Sequence, residues 1–211
     1  DVAYTAAISG LNTTRYGLAP ATVYQFTLSE DPTRGDPYDN LGQVWYTTTN
    51  CPSNQQRMVV EVLNTTSQDI DLYVGVGSQP SEGTVRAMAF YNEPEYLSVD
   101  RPTFSGTCWI LAQNYASSSP GAVDNVRLAV GFVPKADAGN YTITGPASVP
   151  IYQPFNLTVA HNLSDYATKW VWYGYFTVGS SAASTDDIGE VDLNLYRPYL
   201  DKVVHVPIVL K

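Results

Sequence analysis

The segment 57–76, RMVVEVLNTTSQDIDLYVGV, constrains the fold more than any other part of the chain. On both sides of a polar turn, 64–68, apolar residues occupy every second position. These residues are Met58, Val60 and Val62 before the turn, and Ile70, Leu72, Val74 and Val76 after it. Such alternation predicts a β-hairpin with one buried face. The other face of its second strand carries Asp69, Asp71 and Tyr73, so two carboxylates project from the same side.

Short apolar strands separated by polar, Gly- and Pro-containing turns follow one another along the chain, and no window of about 12 residues keeps a helical apolar period free of Gly or Pro. This pattern predicts an all-β protein built as a pair of consecutive β-sandwiches. The predicted strands are 23–28, 43–48, 58–63, 69–76, 87–91, 96–99, 106–112, 126–133, 141–144, 155–160, 170–178, 191–196 and 203–210.

The best candidate for a linker is the breaker-rich segment 134–139. The predicted domains are therefore 1–135, with its core in 43–133, and 140–211. Residues 1–20 are predicted to be a short apolar start and a polar loop of the first domain.

The composition limits the classes of partner. A net charge of -9 argues against nucleic acids and anionic membranes, which attract basic patches. No run of about 18 apolar residues is present, so we expect no membrane span. The chain has neither a signal segment nor a starting Met, and we expect it to be a mature product or a piece of a longer protein.

The two cysteines, Cys51 and Cys108, each lie beside a predicted strand. They form either a disulfide or two unrelated buried thiols, and a disulfide fits an extracellular protein. Five asparagines stand in N-x-S/T sequons, which adds support for a secreted glycoprotein. They are Asn12, Asn64, Asn140, Asn156 and Asn162.

Three landmarks in the first half resemble the bacterial pre-peptidase C-terminal domain. The segment 68–74, QDIDLYV, resembles its Asp-x-Asp-Leu-Tyr-Val strand, and Asn92-Glu93 resembles its Asn-Glu turn. The segment 102–112, PTFSGTCWILA, resembles its Gly-Thr-Tyr-Tyr-Ile strand. The likeness covers roughly residues 43–133.

In the second half, segments 145–159, 172–176 and 191–197 resemble the fibronectin- or immunoglobulin-like module at the carboxyl end of secreted subtilisin-like serine proteases. The two resemblances imply a noncatalytic accessory region of such a protease, with a jelly-roll-like sandwich first and a small immunoglobulin- or fibronectin-like sandwich second. That region would aid folding, maturation or stability, would hold protein substrate, and would have the catalytic domain of the same precursor as its partner. The alternative is a free-standing extracellular carbohydrate-binding or adhesion module.

No enzymatic activity is expected from this segment. The histidines are His161 and His205, and neither stands in a serine-protease motif. Zinc would need three or four Cys, His or carboxylate ligands, and the two histidines lie far from the two cysteines in the sequence.

Calcium is the cofactor that the acidic residues favour, since it binds carboxylate and carbonyl oxygens. One candidate set combines Asp69 and Asp71 with Glu93. A second set lies in the long loop before residue 43, and a third in 186–192. The loop set is Glu30, Asp31, Asp36 and Asp39, and the third is Asp186, Asp187, Glu190 and Asp192. The alternative is that the loop carboxylates are solvated, or that Asp69 and Asp71 hydrogen-bond neighbouring backbone.

The strand 170–178 is rich in aromatic residues. Alternation places Trp170 and Trp172 on one face and Tyr173 and Tyr175 on the other. Tyr173 and Tyr175 are the predicted outward pair, either as a platform for sugar or peptide or as ordinary surface tyrosines.

Overall fold

The computed structural model describes residues 7–90, 95–164 and 168–197. Within these ranges the protein is all-β, as predicted, with thirteen strands and one short 3-10 turn. Its antiparallel sheets pack as sandwich-like layers. The chain divides into two compact units. We call residues 21–132 the central unit, and the described residues before 21 and after 132 the terminal unit.

Two four-stranded sheets build the central unit. One has the strand order β2-β9-β4-β7 and the other β3-β8-β5-β6. The strands are β2 (Thr22–Ser29), β3 (Trp45–Cys51), β4 (Gln55–Thr65), β5 (Asp69–Val76), β6 (Val85–Ala89), β7 (Tyr96–Asp100), β8 (Gly106–Ala116) and β9 (Val123–Pro134). The 3-10 turn, Glu82–Thr84, precedes β6.

The apolar face predicted for segment 57–76 is confirmed. Met58, Val60 and Val62 of β4 are buried in one core cluster with the alternating apolar residues of β5, of which Ile70, Leu72 and Val74 are buried and Val76 is partly buried. The same cluster contains residues from β8 and β9, including Ile110 and Leu128. Because β4 and β5 belong to different sheets, this cluster is the core between the two layers.

The predicted hairpin of β4 and β5 is wrong. The two strands belong to different sheets, and the turn between them carries the chain from one layer to the other. The N–H of Thr66 donates to the carbonyl of Asn125 on β9, whereas the N–H of Gln68 donates to the carbonyl of Ala116 on β8. Alternation reports which face of a strand is buried, but the pairing of its backbone edges depends on residues distant in sequence.

A second, smaller core lies on the other face of the β3-β8-β5-β6 sheet. There Trp109 and Leu111 of β8 pack with Val44, and Tyr38 from the long loop 30–44 packs against them. Gly75 on β5 leaves room for the Trp109 side chain in this core, since a Cβ at position 75 would overlap the ring of Trp109. The loop therefore covers the sheet face that carries Asp71.

The terminal unit contains a three-stranded sheet, β1-β12-β13, and a two-stranded sheet, β10-β11. The strands are β1 (Asn12–Pro20), β10 (Tyr141–Thr144), β11 (Thr158–His161), β12 (Val171–Gly179) and β13 (Gly189–Tyr196). Apolar residues from both sheets, including Tyr141 and Trp172, share its core. The predicted strand 203–210 lies outside the described residues.

The amino-terminal boundary of the units differs from the predicted domains 1–135 and 140–211. Residues 12–20, predicted as a loop of the first domain, form β1, which pairs with β12 from Asn12↔Gly179 to Pro20↔Trp172. The terminal unit therefore contains residues from both ends of the chain. The polar sequence NTTRYG gives little strand signal by itself, and long-range pairing with an apolar strand supplies what the local pattern lacks.

Candidate functional site

A disulfide joins Cys51, the last residue of β3, to Cys108 on β8. Their Cα atoms are 5.8 Å apart, and both residues are buried in the core between the sheets. The alternative of two free thiols is therefore excluded. The bond closes a loop with a sequence separation of 57, for which the chain-entropy relation gives about 4 kcal/mol of stabilisation.

Three carboxylates meet beside the start of β5. One oxygen from each of Asp69, Asp71 and Glu95 lies within 4.8 Å of the other two. β5 positions the first two on one face, as predicted, and Glu95 directly precedes β7. The carbonyl of Glu95 accepts the N–H of Val62 on β4 at 2.9 Å, which fixes its backbone to the sheet. We call these three residues the acidic cluster.

The predicted partner of Asp69 and Asp71 was Glu93, which lies outside the described residues. The structure brings in Glu95 instead, a residue that the sequence argument passed over. The sequence feature that could have indicated Glu95 is its position immediately before the strand that begins at Tyr96. Within the described ranges, this cluster is the one group of three or more acidic, His or Cys residues whose ligand atoms are close enough to share a metal ion.

Burial and like charge act together on the acidic cluster. Asp71 is only 5% exposed. Burial, and then the neighbouring Asp69 charge, raise the pKa of Asp71 to about 7, and Glu95 adds to the rise. Tyr73 acts in the opposite direction, because its hydroxyl donates to Oδ2 of Asp71 at 3.3 Å. At neutral pH, a shared proton or a bound cation would relieve the repulsion between the carboxylates.

Hydrogen bonds connect the acidic cluster to the long loop. The hydroxyl of Tyr73 also lies 3.4 Å from Oε1 of Gln113, whose Nε2 donates to Oδ2 of Asp31 at 2.6 Å. Asp31 and Gln113 are both buried. The side chains thus form a polar line from Asp71 into loop 30–44, whose apolar residues cover the same sheet face.

The predicted loop carboxylates serve the loop's own structure. The hydroxyl of Thr33 lies within hydrogen-bond distance of two carboxylates, 3.0 Å from Oδ1 of Asp31 and 2.9 Å from Oδ1 of Asp39. Asp36 accepts the N–H of Tyr38 at 3.0 Å. Glu30 pairs with Arg34.

A further buried carboxylate, Asp124 on β9, was absent from the sequence argument. Its Oδ1 accepts the Thr66 hydroxyl at 2.9 Å, and its Oδ2 accepts Asn114 Nδ2 at 3.2 Å and the Ser118 N–H at 3.1 Å. Burial alone would raise its pKa, but these donors together lower the pKa of Asp124 below its ordinary value. Asp124 therefore holds the crossing between β4 and β5 against β9.

In the third acidic set, Asp187 accepts the N–H of Ser180 at 2.7 Å and its hydroxyl at 2.6 Å. The hydrogen bonds from Ser180 lower the pKa of the Asp187 carboxyl. Among the described residues, none of Asp186, Glu190 and Asp192 joins it in a group with metal-ligand spacing. This carboxylate fixes a turn.

The predicted aromatic platform is wrong. Tyr173 is 0% exposed and Tyr175 is 1% exposed, and every residue of β12 is buried. The prediction assumed one solvent-facing side, but both faces of this strand are covered. Trp170, directly before β12, is 37% exposed, and the guanidinium of Arg197 lies 4.1 Å from its ring centroid.

The sequons differ in their environments. Asn64, Asn156 and Asn162 are exposed, and Asn12 is half-buried on β1. Asn140 is engaged in two hydrogen bonds, from its Nδ2 to the carbonyl of Leu18 at 2.8 Å and from the N–H of Leu18 to its Oδ1 at 2.9 Å. Both hydrogen bonds join the side chain of Asn140 to the backbone of β1.

Of the two histidines, His161 ends β11, paired in register with Tyr141, and His205 lies outside the described residues. In the described part of the chain, no helix has the length and apolar character needed to cross a bilayer.

No family model and no curated protein matches the chain. Among solved structures, the chain is similar to Aeromonas hydrophila PliG, a periplasmic lysozyme inhibitor of g-type lysozyme. The identity is 19%, the match covers 54% of this chain and 87% of that one, and the TM-score is 0.38.

Proposed function

We propose that the chain is a noncatalytic accessory region of a secreted subtilisin-like serine protease. The observation that carries the proposal is the pairing of β5 with β8. These are the strands whose sequences, DIDLYV and GTCWILA, resemble the pre-peptidase C-terminal domain. They are neighbours in one sheet, with Leu72 opposite Ala112 and Val74 opposite Ile110.

The disulfide between β3 and β8 supports secretion. Disulfides persist in oxidising compartments outside the cytosol, where small domains use them for stability. The bond holds β8 to the edge strand β3, and β8 also pairs with β5. The strand pair that carries the resemblance is thereby cross-linked into its sheet.

Such a region acts without chemistry of its own. A rigid β-unit tethered to a catalytic domain aids folding and maturation by offering a stable surface during assembly. It also raises the effective concentration of a large protein substrate near the active site. The partner in this proposal is the catalytic domain of the same precursor.

The first test is the gene sequence upstream of Asp1, together with the intact mass of the secreted protein. We expect a subtilisin domain with its Asp, His and Ser segments. A precursor with a signal peptide directly before Asp1 would overturn the accessory role and favour a free-standing carbohydrate-binding or adhesion module.

The second test separates the accessory roles. The precursor is secreted with and without residues 1–211, and the yield of active enzyme and kcat/KM are measured for a protein and for a short peptide substrate. A lower yield with unchanged kcat/KM indicates a folding role. A fall confined to the protein substrate indicates substrate holding. Unchanged yield and unchanged kinetics contradict the proposal.

A further inference from the structure

The terminal unit presents a short turn, Pro150–Pro154, whose side chains all face solvent. We call it the PIYQP turn. The N–H of Gln153 donates to the carbonyl of Pro150 at 3.3 Å and closes it, with Ile151 and Tyr152 between them. Ile151 is 48% exposed and Tyr152 is 61% exposed, which makes Tyr152 the most exposed aromatic residue in the described part of the chain.

The base of the PIYQP turn is firmly anchored. Val149 exchanges two backbone hydrogen bonds with Ile8, both 2.9 Å long. Val149 and Ile8 are buried in one core cluster, and Phe155, on the other side of the turn, packs against that cluster. With a proline at each end, the turn has little freedom to change shape. It displays its two apolar side chains in a fixed position.

The backbone of Tyr152 runs against the preference of its side chain. Its φ is 59°. Positive φ in a turn is favoured by Gly and Asn and is costly for a bulky residue. Burial of the ring does not compensate, because the ring is mostly in solvent. Residues held in such conformations tend to occur at ligand-binding sites, so the outlier points to a role for the exposed ring.

The surroundings select the chemistry of the ligand. In a chain of net charge -9, residues 138–164 contain no Asp, Glu, Lys or Arg. The exposed polar side chains that follow Tyr152 as far as residue 158 are the amides of Gln153 and Asn156 and the hydroxyl of Thr158. Two other exposed aromatic residues, Trp170 and Tyr115, have a guanidinium over the ring, whereas Tyr152 has no ring or cation contact within the described residues.

We propose that the PIYQP turn binds an uncharged polysaccharide through the open ring of Tyr152. The C–H face of a sugar stacks on an aromatic ring, and its hydroxyls pair with neutral amides and hydroxyls. An anionic ligand is opposed by the charge of the chain and gains no cation in this segment. The binding is additional to the accessory role and does not depend on it.

The test is the depletion of the purified chain from solution by insoluble cellulose and by chitin. The variants are Tyr152→Asn, which suits positive φ, and Tyr46→Thr, which removes an exposed tyrosine from a strand of the central unit. We expect wild type and Tyr46→Thr to bind one of the polymers. Tyr152→Asn should bind at least tenfold more weakly, with a melting temperature equal to or above that of wild type.

Several outcomes would overturn the proposal. They are wild type remaining in solution with both polymers, Tyr152→Asn binding as tightly as wild type, and Tyr46→Thr losing binding to the same degree. Co-sedimentation with neutral phosphatidylcholine vesicles that is lost in Tyr152→Asn, without binding to either polymer, would assign the turn to membranes instead. None of these results bears on the precursor, so failure here leaves the accessory role to its own tests.

Discussion

Asp71 on β5 and Asp124 on β9 are both buried carboxylates of the central unit, yet their pKa values move in opposite directions. Asp71 is 5% exposed and its pKa is raised to about 7, whereas Asp124 is 1% exposed and its pKa is lowered. Burial acts to raise both pKa values, and at Asp124 the hydrogen-bond donors outweigh it. Three donors surround Asp124, and two like charges with one 3.3 Å hydroxyl contact surround Asp71.

The difference separates structural carboxylates from those that are poised to take a ligand. A carboxylate with a full set of donors is stable as an ion and needs nothing more. A buried carboxylate beside two others is unstable as an ion and gains from a proton or a cation. On this comparison, Asp124 belongs to the fold, and the acidic cluster remains the candidate calcium site.

The largest effect is expected for Asp124→Asn. The variant keeps the shape but loses the charge that three donors share, so we expect a loss of about 2 kcal/mol in the free energy of unfolding at pH 7. Because the folded pKa is lowered, this stabilisation is present above the unfolded pKa and disappears as pH falls through the folded pKa. Urea unfolding at pH 7 and pH 3 measures both.

The matched control is Asp36→Asn, since Asp36 is exposed and an Asn there can still accept the N–H of Tyr38. We expect it to change the free energy of unfolding by less than about 0.5 kcal/mol. Equal stability of the two variants at pH 7 would show that the donors around Asp124 do not hold it as an ion.

For Asp71→Asn we expect the opposite sign. The folded state of wild type keeps a proton on Asp71 that the unfolded chain releases, so stability decreases as pH rises from about 4 to about 7. In the presence of a chelator at pH 8.5, the variant should be more stable than wild type by about 1–2 kcal/mol. The advantage should shrink at pH 5. A difference that is the same at both pH values would contradict the raised pKa.

Sequence patterns predict one half of this comparison and miss the other. Period-two alternation correctly places Asp69 and Asp71 on one face of β5. It gives no information on Glu95, which comes from a different sheet, or on Asp124, whose donors come from three separate segments. Sites built within one strand are visible in the local pattern, whereas sites built between strands depend on the pairing.

The same limit explains the error on Tyr173 and Tyr175. The alternation of β12 was interpreted as one buried and one exposed face, although Val171 to Val178 is an almost unbroken run of apolar and aromatic residues. A short continuous apolar run indicates a strand covered on both sides. For β12, the apolar composition of the strand was therefore a better guide to burial than its period-two alternation. Tyr152, the most exposed aromatic residue in the described part of the chain, lies in a turn, where a strand pattern gives no information.

Calcium is expected to have a smaller effect than Asp124→Asn and Asp71→Asn. If the acidic cluster binds calcium, millimolar calcium should raise the melting temperature of wild type by about 3 °C relative to chelator. Asp71→Asn should show no rise, and magnesium should act more weakly because it demands tighter octahedral geometry. A melting temperature of wild type that is the same in chelator and in calcium would remove the calcium hypothesis and leave a shared proton.

The smallest effect is expected for Tyr73→Phe, which removes the hydroxyl donor 3.3 Å from Oδ2 of Asp71. Loss of this donor raises the pKa of Asp71 further, since the hydroxyl favours the ionised form. At pH 8.5 in chelator, the variant should lose about 0.5–1 kcal/mol, and less at pH 5, where Asp71 is protonated. Tyr38→Phe is the control, because Tyr38 lies beside Tyr73, with ring centroids 6.0 Å apart, and the hydroxyl that donates to Asp71 is that of Tyr73. Equal losses at both pH values would mean that the Tyr73 hydroxyl stabilises the fold independently of the charge on Asp71. Asp71 would then have no effective donor, which would make its contrast with Asp124 complete.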